Sequence, residues 1–243
     1  MKNPMRLPAF AAALAVFFCA CATAQLTENR KPNEATERQE ASGPSDIQII
    51  SALKQALELA TGKAVALAGK TDGFLFNEAI RILLPPKLQS VGKAMRLIGE
   101  GDTVDELEIG MNRAAERATP QAKQILLDAI KKMTFRDARK ILAGGDTAAT
   151  EYFEQACSAD LTTAFTPIVH SSLQRVGVIK NYDHVIKTAP GGKAIANEFD
   201  LDKYVVGKTL DGLFYEIGQQ EINIRTNPAA QNTALLKEVF ARK

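Results

Sequence analysis

The stretch 104-VDELEIGMNRAAERATPQAKQILLDAIKKM-133 decides the fold. Val104, Leu107, Met111, Ala114, Ala115 and Ala118 recur every three or four residues, so they share one face of a helix. Ala122, Ile125, Leu126, Ala129, Ile130 and Met133 repeat that spacing beyond Thr119-Pro120. Asp102 stands where it can cap the first helix, and Asp105, Glu106 and Glu108 lie in its opening turns, where the helix dipole favours negative charge. Pro120 suits the first turn of a second helix, because its missing N–H would be unpaired there anyway. Thr119, just ahead of it, is expected to leave helical geometry and form the corner. Two apolar faces need cover, so the stretch reads as a hairpin inside a larger helical bundle.

The polar residues of this hairpin are its candidate site. With Met111 at the centre of the buried face, Arg113 and Glu116 project near the opposite side, together with Ile109. An apolar residue there points to a helix covered on both faces, with Arg113 engaged by a carboxylate. Asn112, Arg113 and Glu116 are therefore candidate ligand-binding residues, and a structural ion pair or an ordinary exposed cluster explains them as well.

Outward from the hairpin, the pattern stays helical. Ser45 is a plausible N-cap for a helix carrying Ile47, Ile50, Leu53, Leu57 and Ala60, ended by Thr61-Gly62. Lys63 to Ala68 can form a second short helix, and Gly69 to Gly73 reads as a turn. Phe74-Leu75-Phe76 is an apolar anchor, and AIRILL (Ala79–Leu84) must finish extended before Pro85-Pro86. A helix over Lys87–Ile98 follows, with Leu88, Val91, Met95 and Ile98 on one face. Thr134 and Asp137 have capping-box spacing for a helix to about Leu142. Asp146 is the expected cap of a helix through Cys157, and Ser158 of the next, whose face carries Leu161, Phe165, Ile168, Ser172 and Val176. Pro167 should kink that helix. Gly177 to Gly192 reads as the loosest part, with at most a short helix around Tyr182–Lys187. Asp200 to Ile224 and Pro228 to Phe240 complete the set. The expectation is an all-α protein: one compact bundle of roughly nine or ten helices, without a fixed repeat.

The two ends frame this domain. Residues 1–24 read as an export signal: Lys2 and Arg6, an apolar run from Leu7 to Phe18, then Ala22-Thr23-Ala24 as a small-x-small cleavage site. Cys21 offers an alternative, lipid attachment to the envelope, although Phe18 is bulky where a small aliphatic residue is preferred. Residues 25–44 are polar and charged and read as a disordered tether, which leaves 45–243 as the helical domain. Cleavage removes two of the 30 basic residues and none of the 28 acids, so the exported chain carries no formal net charge. A neutral chain without a basic block has no electrostatic footprint for nucleic acid or an anionic membrane. With Cys19 and Cys21 in the signal, Cys157 is left alone, and no internal disulfide is possible.

Chemistry is sparse. No His-Glu-x-x-His, Gly-x-Ser-x-Gly, phosphate loop, Cys-x-x-Cys or Gly-x-Gly-x-x-Gly occurs, so no metal and no cofactor is expected. His170 reads as a helix histidine bonded to a carbonyl freed by Pro167, and His184 as a solvated loop residue. Cys157, at the expected helix end, would have its thiol pKa raised by the dipole and reads as a buried filler. In the long helix around KTLDGLFYEIG, Val206, Leu210, Leu213 and Ile217 form the core stripe. Gly207, Asp211 and Gly218 mark another side, where a close neighbour would explain the glycines and Asp211 is a further candidate ligand contact or the partner of Lys208. Glu151 with Tyr152 and Phe153 can rim a pocket.

Several blocks in order, MNRAAERATP, AI-KKMTFRDARKIL, AATEYF, LDGLF, IRTNPAA and LLKEVF, resemble a bacterial family of exported helical proteins, the domain of unknown function numbered 4197. The resemblance spans about Ser51 to Phe240 and departs at Ile82–Pro86 and at Gly218–Glu221. It implies an all-helical fold and export to the envelope, and no activity, substrate or catalytic residue. The function expected from all this is a periplasmic protein with a non-catalytic binding or scaffold role, its partner a protein or a small ligand. The alternatives are a protein with an apolar-ligand pocket fed by Phe74, Phe165 and Phe214, or an enzyme using Asp, Glu and Tyr chemistry that no linear motif reveals.

Overall fold

Residues 104–133 fold as the two helices their periodicity requires, and the remaining helices pack around the first of them. The computed structural model describes residues 45–175, 177–189, 199–231 and 233–241, side chains to 238, and among these no strand occurs. The expected signal and tether, 1–24 and 25–44, lie outside the described residues.

The helices are α1 (Asp46–Gly69), α2 (Gln89–Leu97), α3 (Gly101–Ala118), α4 (Ala122–Lys132), α5 (Phe135–Ala143), α6 (Ala148–Arg175), α7 (Val178–Thr188), α8 (Leu201–Thr226) and α9 (Ala234–Ala241). Three 3₁₀ turns, Pro86–Leu88, Thr119–Gln121 and Pro228–Ala230, join some of them. The fold is all-α, and residues 42–243 form one unit. α6 packs along α8 and α3, α8 along α1, and α9 rests on α1. α3 touches α1, α2, α6, α7 and α8, which puts it at the centre.

The core follows the apolar stripes. Val104, Leu107, Met111, Ala114, Ala115 and Ala118 of α3 are all fully buried, as are Ala122, Leu126 and Ile130 of α4. They join Leu53 and Leu57 of α1, Phe153, Leu161 and Phe165 of α6, and Val206, Leu213 and Ile217 of α8 in one cluster. At about 1.5–3 kcal/mol for each large apolar side chain taken out of water, this cluster is the main stabilising force. Leu236 anchors α9 in a small second cluster with Ala52 and Ala56, while the side chains of Val239 and Phe240 lie outside the described residues.

Helix ends depart from local expectation wherever packing outweighs it. Ser45 caps α1 with a complete capping box, as does Thr134 with Asp137 for α5. α1, however, runs past Thr61-Gly62 to Gly69, because Ala64, Val65 and Ala68 are buried against the core. Thr119 stays helical, φ −52° and ψ −39°, despite the following proline. A tight 3₁₀ turn carries the chain from α3 into α4, and the buried Thr119 hydroxyl donates to the Ala115 carbonyl at 2.8 Å. Asp102 does not cap α3, which has no side-chain cap. Ser158 starts no helix either: α6 is continuous, and its Ser158, Thr162, Thr163 and Thr166 hydroxyls each donate to a carbonyl one turn back. Ile47 and Ile98, expected on the apolar faces, are exposed at 78% and 69%: Ile47 lies in the first turn of α1, and Ile98 is the residue just past the end of α2.

The glycines of α8 give a different answer from the one expected. A Cβ on Gly207 would meet nothing within 4 Å, and one on Gly218 only ordinary contacts. The close approach is at Gly212, where a Cβ would sit 2.5 Å from Phe74 Cε1 and 3.1 Å from Ile80 Cβ. What presses on α8 is therefore the irregular segment between α1 and α2.

Candidate functional site

Residues 70–85 form no regular element beyond turns, yet Phe74, Leu75, Ile80, Ile82 and Leu84 are buried. Buried backbone without a helix or a sheet must find its hydrogen bonds elsewhere. Here α3 supplies them. Glu108, Asn112 and Glu116, one helical turn apart on the same face, are all buried and point at this segment. Glu116 Oε1 accepts from the amides of Phe74 and Leu75 at 3.2 and 3.3 Å. Asn112 Oδ1 accepts from the Ile82 amide at 2.9 Å, and its Nδ2 donates to the carbonyls of Ile82 and Glu108. Glu108 Oε1 accepts from the Leu84 amide at 3.0 Å. A row of helix side chains thus does for this segment what a neighbouring strand would do in a sheet.

Basic groups offset the two buried acids. Arg81 and Arg96 each lie 3.6 Å from Glu108 Oε2. Arg113 bridges Glu116 Oε2 at 2.7 Å and Asp72 Oδ1 at 2.6 Å. Glu116, then Asp72, raises the Arg113 guanidinium above its ordinary value against a lowering from burial, so Arg113 stays charged. Asp72 holds a left-handed conformation, φ 67°, uncommon for a residue with a Cβ. Gly73 follows it because any side chain there would strike the Leu67 and Ala68 carbonyls, 2.3 and 2.5 Å from its Cβ position.

The turn that α3 fixes in this way forms one wall of a surface cleft of about 530 Å³, closed by Leu67 and Lys70 of the α1 end and by Glu216 of α8. Glu216 is only 7% exposed. Its Oε1 accepts from Asn77 Nδ2 at 2.7 Å, and Asn77 is itself held in a turn by the Ala79 amide on its Oδ1. No ion pair to Glu216 occurs among the described residues. Phe76 lines the same cleft and is 78% exposed.

The four residues singled out from the sequence divide accordingly. Asn112, Arg113 and Glu116 lie together, but their polar atoms meet the protein's own backbone and Asp72. Asp211 lies apart on the surface of α8, paired with Lys208 at 2.8 Å. Ile109, which pointed to double cover, is 40% exposed. α3 is indeed covered on a second face, but by the turn that Glu108, Asn112 and Glu116 hold. Glu108 and Glu216 were not singled out. The signal for Glu108 is the four-residue spacing Glu108-Asn112-Glu116, whereas nothing local marks Glu216.

Other groups resolve as follows. His170 bonds Asp202 at 2.6 Å rather than a carbonyl freed by Pro167, and His184 sits on α7 and bonds Glu100 at 2.8 Å rather than lying in a loop. Cys157 lies inside α6, not at a helix end, and burial pushes its thiol up to about 11. The first-turn amides of α6, Ala149 and Thr150, are answered not by Asp146 but by Glu221 of α8, which also pairs with Arg225 at 2.7 Å. Glu151 and Tyr152 do line a cavity of about 350 Å³ between α5 and α6, while Phe153 is in the core. Phe74, Phe165 and Phe214 likewise belong to the closed core.

No curated protein and no solved structure matches the chain. A family model does, over residues 43–241, nearly the whole helical domain, and the chain therefore belongs to the family described as Protein of unknown function (DUF4197).

Proposed function

We propose that this protein is exported to the bacterial envelope and acts there by binding a partner or ligand rather than by catalysis. One observation carries the reading. The central acids and arginine, which could otherwise serve chemistry, hold a turn in place, and that turn shapes a cleft bearing an exposed aromatic and a buried carboxylate. Rigid support behind a concave surface with a few fixed polar groups is what recognition requires. Export rests on the signal-like residues 1–24, with the chain released after Ala24 or held through a lipid on Cys21.

Native mass spectrometry of the protein purified from periplasm tests the binding role. The expected result is a bound mass, small molecule or protein; a bare monomer under gentle ionisation would overturn the reading. The intact mass of the same sample should correspond to a chain starting at Gln25. A start at Cys21 with added acyl mass would replace release by anchoring, and Cys21→Ser would then shift the protein out of the membrane fraction.

A further inference from the structure

We infer that the cleft between the 70–78 turn and α8 is a site for an organic cation on an alkyl stem, the side chain of a lysine or arginine in a partner polypeptide. The inference rests on the binding role proposed above and adds the chemical class of what is bound.

A carboxylate that is nine-tenths buried needs compensation, by hydrogen bonds or by a counter-charge. Each of the other buried carboxylates has both. Glu108 has the Leu84 amide, Arg81 and Arg96; Glu116 has two amides and Arg113; Glu221 has two amides, a hydroxyl and Arg225. Glu216 has one neutral amide donor on Oε1. Among the described residues no other donor reaches its carboxylate, and Glu216 lines the cleft. A cation entering there supplies what the other three carboxylates already possess.

The rest of the wall fits such a guest. Phe76 presents an exposed ring, which attracts a cation electrostatically and gives its methylene stem an apolar surface. Glu78 and Asp72 add negative charge at the rim, Asp72 already shared with Arg113. Lys70 is the opposing charge: it is exposed on the same wall and makes no ion pair with Glu216. Its charge should weaken binding of any outside cation.

The experiment is a titration of the exported chain, followed by amide NMR shifts, with four probes: a lysine tripeptide, acetyl-lysine amide, putrescine and acetyl-norleucine amide. The lysine probes should shift residues 70–78 and 216, and norleucine, which has the stem without the charge, should not. Glu216→Gln should weaken the lysine probes about tenfold or more, the usual scale of a charge-assisted bond to a buried acid. Phe76→Ala, at an exposed position that leaves folding intact, should weaken them by roughly two- to fivefold. Lys70→Ala should tighten them. A tripeptide that binds better than putrescine supports a polypeptide source; the reverse order overturns that source and assigns the site to a free amine. Equal binding by wild type and Glu216→Gln, or no shift with any amine at millimolar concentration, overturns the site. A partner seen by native mass spectrometry that Glu216→Gln still retains leaves the binding role standing and removes this inference alone.

Discussion

Two buried glutamates grip the same turn from two helices, and they do it differently. Glu116 of α3 meets the amides of Phe74 and Leu75 and the guanidinium of Arg113, so both its oxygens are occupied within the fold. Among the described residues, Glu216 of α8 bonds the Asn77 side chain alone, two residues further along. The first is an internal part of the structure and the second faces an opening. Burial alone therefore does not separate structural from functional carboxylates. What separates them is whether the donors around each one already match its charge.

The largest effect should follow from removing the saturated member. Glu116→Ala leaves two buried amides without an acceptor and deprives Arg113 of one partner, a loss of about 3 kcal/mol, read as a lower urea midpoint. If the loss is under about 1 kcal/mol, water or Asp72 replaces Glu116 and the contrast with Glu216 disappears. Next comes the contact that presses the turn against α8. Gly212→Ala places a Cβ against the Phe74 ring and Ile80 and should cost about 1–3 kcal/mol, because that ring is fully buried and has little room to retreat. Gly207→Ala, into open space on the same helix, should be neutral or stabilising by up to about 1 kcal/mol. The same melting curves would decide both.

These variants also mark how far the sequence can be read. The α3 and α4 stripes, the capping boxes at Ser45 and Thr134, and the all-helical class follow from residue spacing, because a helix face is a local property. The family blocks pointed the same way and match the membership that residues 43–241 show. The centre of the candidate site was legible only by residue type. Asn112, Arg113 and Glu116 stood out as polar residues on a possibly covered face, but Ile109 gave the wrong reason for the cover. Their partners lie 30 to 42 residues away in a segment without periodicity, and no local pattern encodes that pairing. Glu216 was less visible still. It acquires its character from Asn77, 139 residues distant, and from the empty space beside it.

A smaller effect is expected where the fold depends less on the charge. Glu216→Gln keeps an acceptor for Asn77 and removes a buried charge that no cation offsets among the described residues. Its stability should stay within about 1 kcal/mol of wild type, while the lysine probes lose affinity. A drop as large as that of Glu116→Ala would make the two glutamates equivalent.

The smallest effect belongs to the other acid of α8. Asp211 lies five residues before Glu216 but is exposed, paired with Lys208 on its own helix. Such an i,i+3 pair in water contributes no more than about 0.5 kcal/mol, so Asp211→Asn should barely move the midpoint at neutral pH. Its bond to Lys208, set against partial burial, raises the lysine above its ordinary 10.5. A lysine raised on folding contributes stability that is complete below its unfolded pKa and is lost as pH rises through the folded one. The small difference between wild type and Asp211→Asn should therefore persist from pH 7 to pH 10 and be lost in stronger alkali. If the difference were already lost between pH 7 and pH 10, Asp211 would not be what raises Lys208. If instead Asp211→Asn lowered the midpoint as far as Glu116→Ala does, this exposed acid would behave as a buried one, and the difference drawn between it and Glu216 would fail.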